Sequence, residues 1–129
     1  MHRSRPDDLI VGPAILFAPA NRPDIFPKAA AIADMVILDL EDGAGDAERD
    51  VARNNIAQAS LDPSRVIVRV CGPDDPGFKE DVEMVRSTPY SLVMVPKVYT
   101  DIPKELEGLH VIAMIETPQA VVGIQGIAE

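Results

Sequence analysis

The stretch Met35-Val36-Ile37-Leu38-Asp39-Leu40-Glu41 decides the fold of this chain. It begins as an unbroken aliphatic run and then carries two carboxylates. Continuous aliphatic runs of this length are typical of strands buried on both faces of a parallel sheet. Parallel α/β enzymes hold their chemistry at the carboxyl ends of such strands. The stretch therefore predicts a buried strand and the edge of the sheet that carries a site.

Further apolar runs flank this stretch, and most of them end in a charged or polar residue. The spacers between the runs include helical patterns, which is typical of βαβ units in a parallel sheet. Helical spacing is clearest in residues 47–60, which Asp62 and Pro63 terminate. We predict the other strands within residues 15–22, 65–70, 91–98 and 110–116, and the other helical segments within 26–33, from 78, within 101–106 and from 117.

Composition limits the class of protein. With 47% hydrophobic and 26% charged residues, the chain resembles an average globular domain. A net charge of −9 and a pI near 4.6 argue against a nucleic-acid surface, which needs clustered Lys and Arg. No apolar run approaches the roughly 18 residues of a membrane-spanning helix. We therefore expect neither a nucleic-acid partner nor a membrane partner.

Cysteine usage points to a reducing compartment. The single Cys71 cannot form an intrachain disulfide, and with only His2 and His110 beside it no Cys/His zinc cluster can be assembled. The expected location is cytoplasmic. Residues 9–20 superficially resemble a secretory leader, but nearby acidic residues and prolines interrupt that pattern, so we predict a strand there and not a leader.

An acidic cluster ends the deciding stretch. Because side chains alternate along a strand, Asp39 and Glu41 should share one face, whereas Asp42 begins the loop. Two carboxylates on a buried face are costly without a cation or hydrogen-bond donors. Two interpretations stay open: metal organisation or general-base catalysis, and a solvated strand end followed by a turn-forming Asp-Gly pair.

Arg69 and Glu116 stand at the ends of two later strands. Arg69 lies among β-branched residues and needs an anionic partner. That partner is either structural, such as Asp39 or Glu41, or a substrate carboxylate or enolate. Glu116 either binds a hard cation such as Mg²⁺ or caps the helix predicted to follow it.

Lys97, Asn21 and Arg22 add positive or donor groups at the same edge. Each alone is a weak signal, since a terminal lysine is usually a solvated charge. The sequence contains no glycine-rich phosphate loop, nucleophile elbow or histidine-based triad, so covalent Ser/His hydrolysis is not expected.

Taken in order, these blocks resemble the citrate lyase β-subunit-like family within the HpcH/HpaI aldolase group. The resemblance covers almost all of the 129 residues. It implies a (β/α)₈ TIM barrel, of which residues 1–129 would supply about the first five βα units as the N-terminal part of a single domain. The blocks that carry it are Leu38-Asp39-Leu40-Glu41-Asp42, Ile115-Glu116-Thr117 and residues 16–23, 66–70 and 95–97.

The resemblance also implies an activity. Members of the family depend on Mg²⁺, and many are homotrimers. They cleave or form a carbon–carbon bond in a β-hydroxyacyl-CoA of the citryl-CoA or malyl-CoA type, with an acyl-CoA and a keto acid on the other side of the reaction. A thioesterase acting on malyl-CoA at the same site, and a non-catalytic subunit-interaction fragment, stay open as alternatives.

The resemblance assigns roles only to those residues of this sequence that match the motifs of the family. Arg69 matches the substrate-binding arginine, and Glu116 matches the first metal carboxylate, which also touches substrate. Glu41 and Asp42 match the acidic pair near the metal, where water-mediated contacts or base catalysis are expected. The positions at which coenzyme contacts are expected are Asn21, Arg22 and Lys97.

One part of the family pattern lies beyond this chain. The second metal ligand of the family is an aspartate about one βα unit past Glu116, and strands six to eight follow it. We therefore expect the 129 residues to be part of a longer polypeptide.

Overall fold

Five parallel strands form the sheet that the apolar runs predict. The computed structural model describes residues 12–41, 48–98 and 101–114. The strands pair in chain order, and every pair is parallel, so their carboxyl ends share one edge of the sheet. Their bounds are β1 Ile15–Pro19, β2 Met35–Asp39, β3 Val66–Arg69, β4 Leu92–Val95 and β5 His110–Ala113.

Helical segments connect these strands at the predicted places. Helix α1 (Phe26–Ile32) follows β1, α2 (Arg49–Gln58) follows β2, and α3 (Phe78–Arg86) follows β3. Short 3₁₀ turns lie at Pro23–Ile25, Pro63–Arg65 and Lys104–Leu106. No helix in the described ranges is long and apolar enough to cross a membrane.

The two faces of the sheet carry different residues. On one face Val36 and Leu38 belong to the large core cluster, together with helix residues such as Ile56. On the other face Met35 and Ile37 belong to a smaller cluster with residues of β3 and β4. Because the side-chain period of a strand is two, Asp39 follows Ile37 on this second face. In a complete (β/α)₈ barrel, this second face would be the interior.

Strands β1 to β4 end before the limits of the predicted ranges, and at β2 and β4 the reason is local. Beyond β2, the Glu41 amide donates to Asp39 Oδ1 at 3.0 Å, a side-chain turn that ends the ladder. Beyond β4, Lys97 has a φ of 55°, which an extended strand does not allow. The end of the fifth predicted strand and the helix predicted from residue 117 lie outside the described residues.

Burial along α2 provides a matched test of the core. Ile56 is fully buried, whereas Val51 on the same helix is 59% exposed. In the intact protein, Ile56→Ala should lower the free energy of unfolding by about 2–5 kcal/mol, because it leaves a cavity. Val51→Ala should change it by about 0.5 kcal/mol or less. Chemical denaturation monitored by circular dichroism measures both, and equal losses would contradict this orientation of α2.

Candidate functional site

A buried arginine–carboxylate pair lies at the carboxyl edge of the sheet. Arg69 donates from Nε to Asp39 Oδ1 at 2.9 Å and from Nη2 to Asp39 Oδ2 at 2.6 Å. The two residues are register partners on β2 and β3, and both side chains are buried. A bidentate pair fixes the plane of the guanidinium as well as its position. Arg69 is therefore preorganised before any ligand arrives.

Side chains from other strands lie around the rest of this guanidinium. Arg69 Nη1 lies 3.5 Å from Glu41 Oε1 and 3.9 Å from the Met114 sulfur. The Phe17 ring lies against the guanidinium, with Arg69 Cζ 4.9 Å from the ring centroid. This is a cation–π distance. Residues from β1, β2, β3 and the end of β5 thus meet around one positive charge.

Glu41 connects Arg69 with the end of β4. Its Oε2 lies 3.7 Å from Lys97 Nζ, and its carboxylate is mostly buried whereas Lys97 is exposed. The left-handed backbone of Lys97 is uncommon for a residue other than glycine. Charges of alternating sign therefore run across the strand ends, in the order Asp39, Arg69, Glu41 and Lys97.

Asn21 and Arg22, the other predicted coenzyme ligands, lie directly after β1. Asn21 Nδ2 donates to Glu48 Oε2 at 3.2 Å. Arg22 forms two hydrogen bonds with Asp24, at 3.0 and 2.9 Å. This contact raises the pKa of Arg22 and lowers that of Asp24, and both side chains are exposed. Exposed pairs contribute little to stability, so an anionic ligand can replace Asp24 at small cost.

Two predicted site residues, Asp42 and Glu116, lie outside the described residues. Glu41 and Met114, which precede them closely in sequence, both contact Arg69. In the part of the chain that the structure describes, no group of three or more His, Cys, Asp or Glu side chains could hold a metal ion. The described carboxylates of the site are instead placed against cationic side chains.

A cavity of about 340 Å³ opens beside Glu41. It lies between the ends of β2 and β4, the first residue of α2 and the loop that follows β3. The sequence pattern alone did not point to Arg49, Phe17 or Met114. The residues that line the cavity are Glu41, Arg49, Cys71, Gly72, Pro73, Asp74, Asp75 and Lys97.

Cys71 lines this cavity but should be unreactive. Burial raises the pKa of its thiol, and the neighbouring Asp81 carboxylate raises that pKa further. Because the thiolate is the reactive form, we predict that iodoacetamide at pH 8 modifies Cys71 at least about tenfold more slowly in native protein than in urea-unfolded protein. Peptide mass spectrometry over a time course measures both rates. Equal rates would mean that the thiol is accessible and ionised in the fold.

Comparison of the sequence with known proteins identifies a family and several relatives. A family model described as HpcH/HpaI aldolase/citrate lyase matches residues 14–129. The citrate lyase subunit beta-like protein of Mycobacterium tuberculosis is 43% identical over 118 residues, which cover 91% of this chain and 43% of that protein. The L-malyl-CoA/beta-methylmalyl-CoA lyase of Rhodobacter capsulatus is 38% identical over 91 residues, 64% of this chain and 29% of that protein.

A solved structure has the same fold. It is the crystal structure of protein CitE from Mycobacterium tuberculosis in complex with magnesium, acetoacetate and coenzyme A. The TM-score is 0.87 at 42% sequence identity, covering 93% of this chain and 45% of that one. The chain thus spans less than half the length of each of these proteins. The likeness confirms the predicted fold class, an α/β barrel of which this chain covers a part.

Proposed function

The chain belongs to the HpcH/HpaI aldolase/citrate lyase family, and from that premise we propose that it is the N-terminal part of the barrel of a Mg²⁺-dependent carbon–carbon lyase. Its substrate is a β-hydroxyacyl-CoA of the citryl-CoA or malyl-CoA type, and its products are an acyl-CoA and a keto acid. The observation that carries the proposal is the preorganised Arg69 at the carboxyl edge. The magnesium, acetoacetate and coenzyme A bound by the related CitE support the same class of ligands.

Arg69 is the group that we assign to charge stabilisation. Cleavage of the carbon–carbon bond leaves the electron pair on the acyl-CoA as an enolate. A cation that is already oriented stabilises this charge without reorganisation in the transition state. Asp39 holds two nitrogens of Arg69, and the third nitrogen, Nη1, lies on the side of Glu41 and Met114. We place the substrate anion on that side.

Glu41 is the candidate acceptor for the hydroxyl proton, with Asp42 as the second candidate. Glu41 Oε1 lies 3.5 Å from Arg69 Nη1 and its Oε2 lies 3.7 Å from Lys97 Nζ, so its carboxylate is oriented between two cations. The cavity beside Glu41 gives a ligand room to approach its carboxylate. The burial of this carboxylate and the adjoining cavity support the proposed role of Glu41 as a base.

Glu116 is the proposed metal ligand, together with an aspartate outside this chain. Met114 contacts Arg69, so the chain reaches the site two residues before Glu116. A carboxylate is a suitable oxygen ligand for Mg²⁺. When bound, the ion would favour ionisation of the substrate hydroxyl and orient it. Asn21, Arg22 and Lys97 stay proposed contacts to the coenzyme, and the homotrimer and the cytoplasmic location stay predictions.

Product analysis of the intact protein tests the proposed activity. With Mg²⁺ and citryl-CoA or malyl-CoA, we expect acetyl-CoA and one equivalent of keto acid. Removing the metal with EDTA should lower the rate at least about 100-fold, because the ion supplies several kcal/mol of charge stabilisation. Free CoA with citrate or malate would indicate a thioesterase. Absence of both products, with no heat of Mg²⁺ binding in calorimetry, would indicate a non-catalytic piece.

Substitution of Arg69 tests its role separately. Arg69→Ala should lower kcat by about 10²–10³-fold, because a preorganised donor is lost. Arg69→Lys keeps the charge but not the bidentate geometry, so it should restore only part of the rate. Arg65→Ala is the matched control, since Arg65 lies at the other end of β3 and donates to Asp34 O at 3.3 Å. Wild-type kcat in folded Arg69→Ala protein would refute the assignment.

A further inference from the structure

Asp81 on α3 is a fully buried carboxylate that the proposed function does not use. Burying a carboxylate is costly unless charge and hydrogen bonds compensate it. Asp81 Oδ1 accepts from Arg53 Nε at 2.7 Å, and Oδ2 accepts from the backbone N–H of Cys71 at 3.0 Å. One carboxylate therefore ties α2, α3 and the chain that leaves β3 to one another.

Arg53 is held in the same cluster by several acceptors. Its Nη1 donates to Asp50 Oδ1 at 2.8 Å and to Glu80 Oε2 at 2.9 Å, and its Nη2 donates to the Gly77 carbonyl at 3.4 Å. These partners lie on α2 and on α3 with its preceding turn. The guanidinium that faces Asp81 is thus restrained from several directions, and the Asp81 carboxylate is restrained with it.

A second ion pair attaches the loop of residues 71–77 to α2. Arg49 Nη2 donates to Asp75 Oδ2 at 2.9 Å, and the Gly77 amide donates to Asp75 Oδ1 at 2.9 Å. These contacts, the Arg49 hydrogen bond first, hold the pKa of Asp75 at about 2. Residues 71–77 are therefore attached at both ends to the helices around them.

The attached loop forms part of the candidate site. Cys71 follows Arg69 by two residues, so the peptide that Asp81 holds is the one at which the chain turns after β3. The loop also lies against the end of β4, since a Cβ placed on Gly72 would be 3.7 Å from Lys97 Cβ. The turn supplies the cavity wall next to Glu41 and begins two residues after Arg69.

We propose that Asp81 is a positioning residue for Arg69 and for the adjoining cavity wall, acting through the Cys71 amide. This inference rests on the proposed function, because Arg69 is the group that it places. Displacing a reacting group by about 1 Å can cost about 10²-fold in rate. Since Arg69 is assigned to the charge of the transition state, loss of Asp81 lowers kcat more than it raises KM.

Three variants of the intact protein test this inference. Asp81→Ala removes both hydrogen bonds, and Asp81→Asn keeps an oxygen that can accept from Cys71. Glu80→Gln is the matched control, because Glu80 bonds the same Arg53 through an exposed carboxylate. We expect kcat to fall about 10- to 100-fold in Asp81→Ala with KM within about threefold, less in Asp81→Asn, and about twofold or less in Glu80→Gln.

Hydrogen exchange of peptides covering residues 70–77 gives a readout that needs no turnover. Protection of this segment should fall at least about tenfold in Asp81→Ala and by a smaller factor in Asp81→Asn while the strands stay protected, and it should persist in Glu80→Gln. Unchanged protection, or lost protection with wild-type kcat and KM, would overturn the inference. If Asp81→Ala does not fold, Asp81→Asn decides by the same criteria. If the wild type cleaves no CoA ester, the proposed function fails, and unchanged exchange separately refutes the role of Asp81.

Discussion

The buried bidentate ion pair between Arg69 and Asp39 is the interaction on which the rest of this site depends. It joins two neighbouring strands at their carboxyl ends, where each charge compensates the other. Removing one partner of such a pair leaves a buried charge, which typically costs about 3–5 kcal/mol. The pair also determines which nitrogen of Arg69 faces Glu41 and Met114. The same ion pair therefore joins the two strands and orients the guanidinium of Arg69.

The apolar core keeps this pair in register. On the helix side, Val36, Leu38 and Val68 are buried in the large cluster, and they alternate with residues of the opposite face. A slip of one residue in β2 would move Asp39 into the helix-side core, where an unpaired carboxylate is unfavourable. Hydrophobic packing on one face thus specifies the ionic geometry on the other, although no apolar residue of that cluster belongs to the proposed chemistry.

Buried charge serves two purposes at this edge of the sheet. The pair of Arg69 with Asp39 lies on the inner face, and the cluster of Asp81 with Arg53 lies among the helices that support the outer side of the same strand end. The first orients the Arg69 guanidinium, and the second holds the Cys71 amide two residues beyond it. Buried ion pairs are weak devices for stability alone, so two of them near one strand end fit a demand for defined geometry.

The local periods, and therefore most of the secondary-structure elements, follow from the amino-acid sequence alone. Aliphatic runs located all five strands, helical spacing located α2, and Asp39 on the same face as Ile37 follows from a period of two. The partner of Arg69 stayed open between Asp39, Glu41 and a ligand, because register is a property of two strands and not of one. Strand order and the return of the chain between strands bring residues that are far apart in sequence to the site. These residues include Phe17, Met114 and Arg49. The alternation of side chains along a strand depends only on neighbouring residues. Contacts across the sheet, in contrast, form only once the whole core has packed.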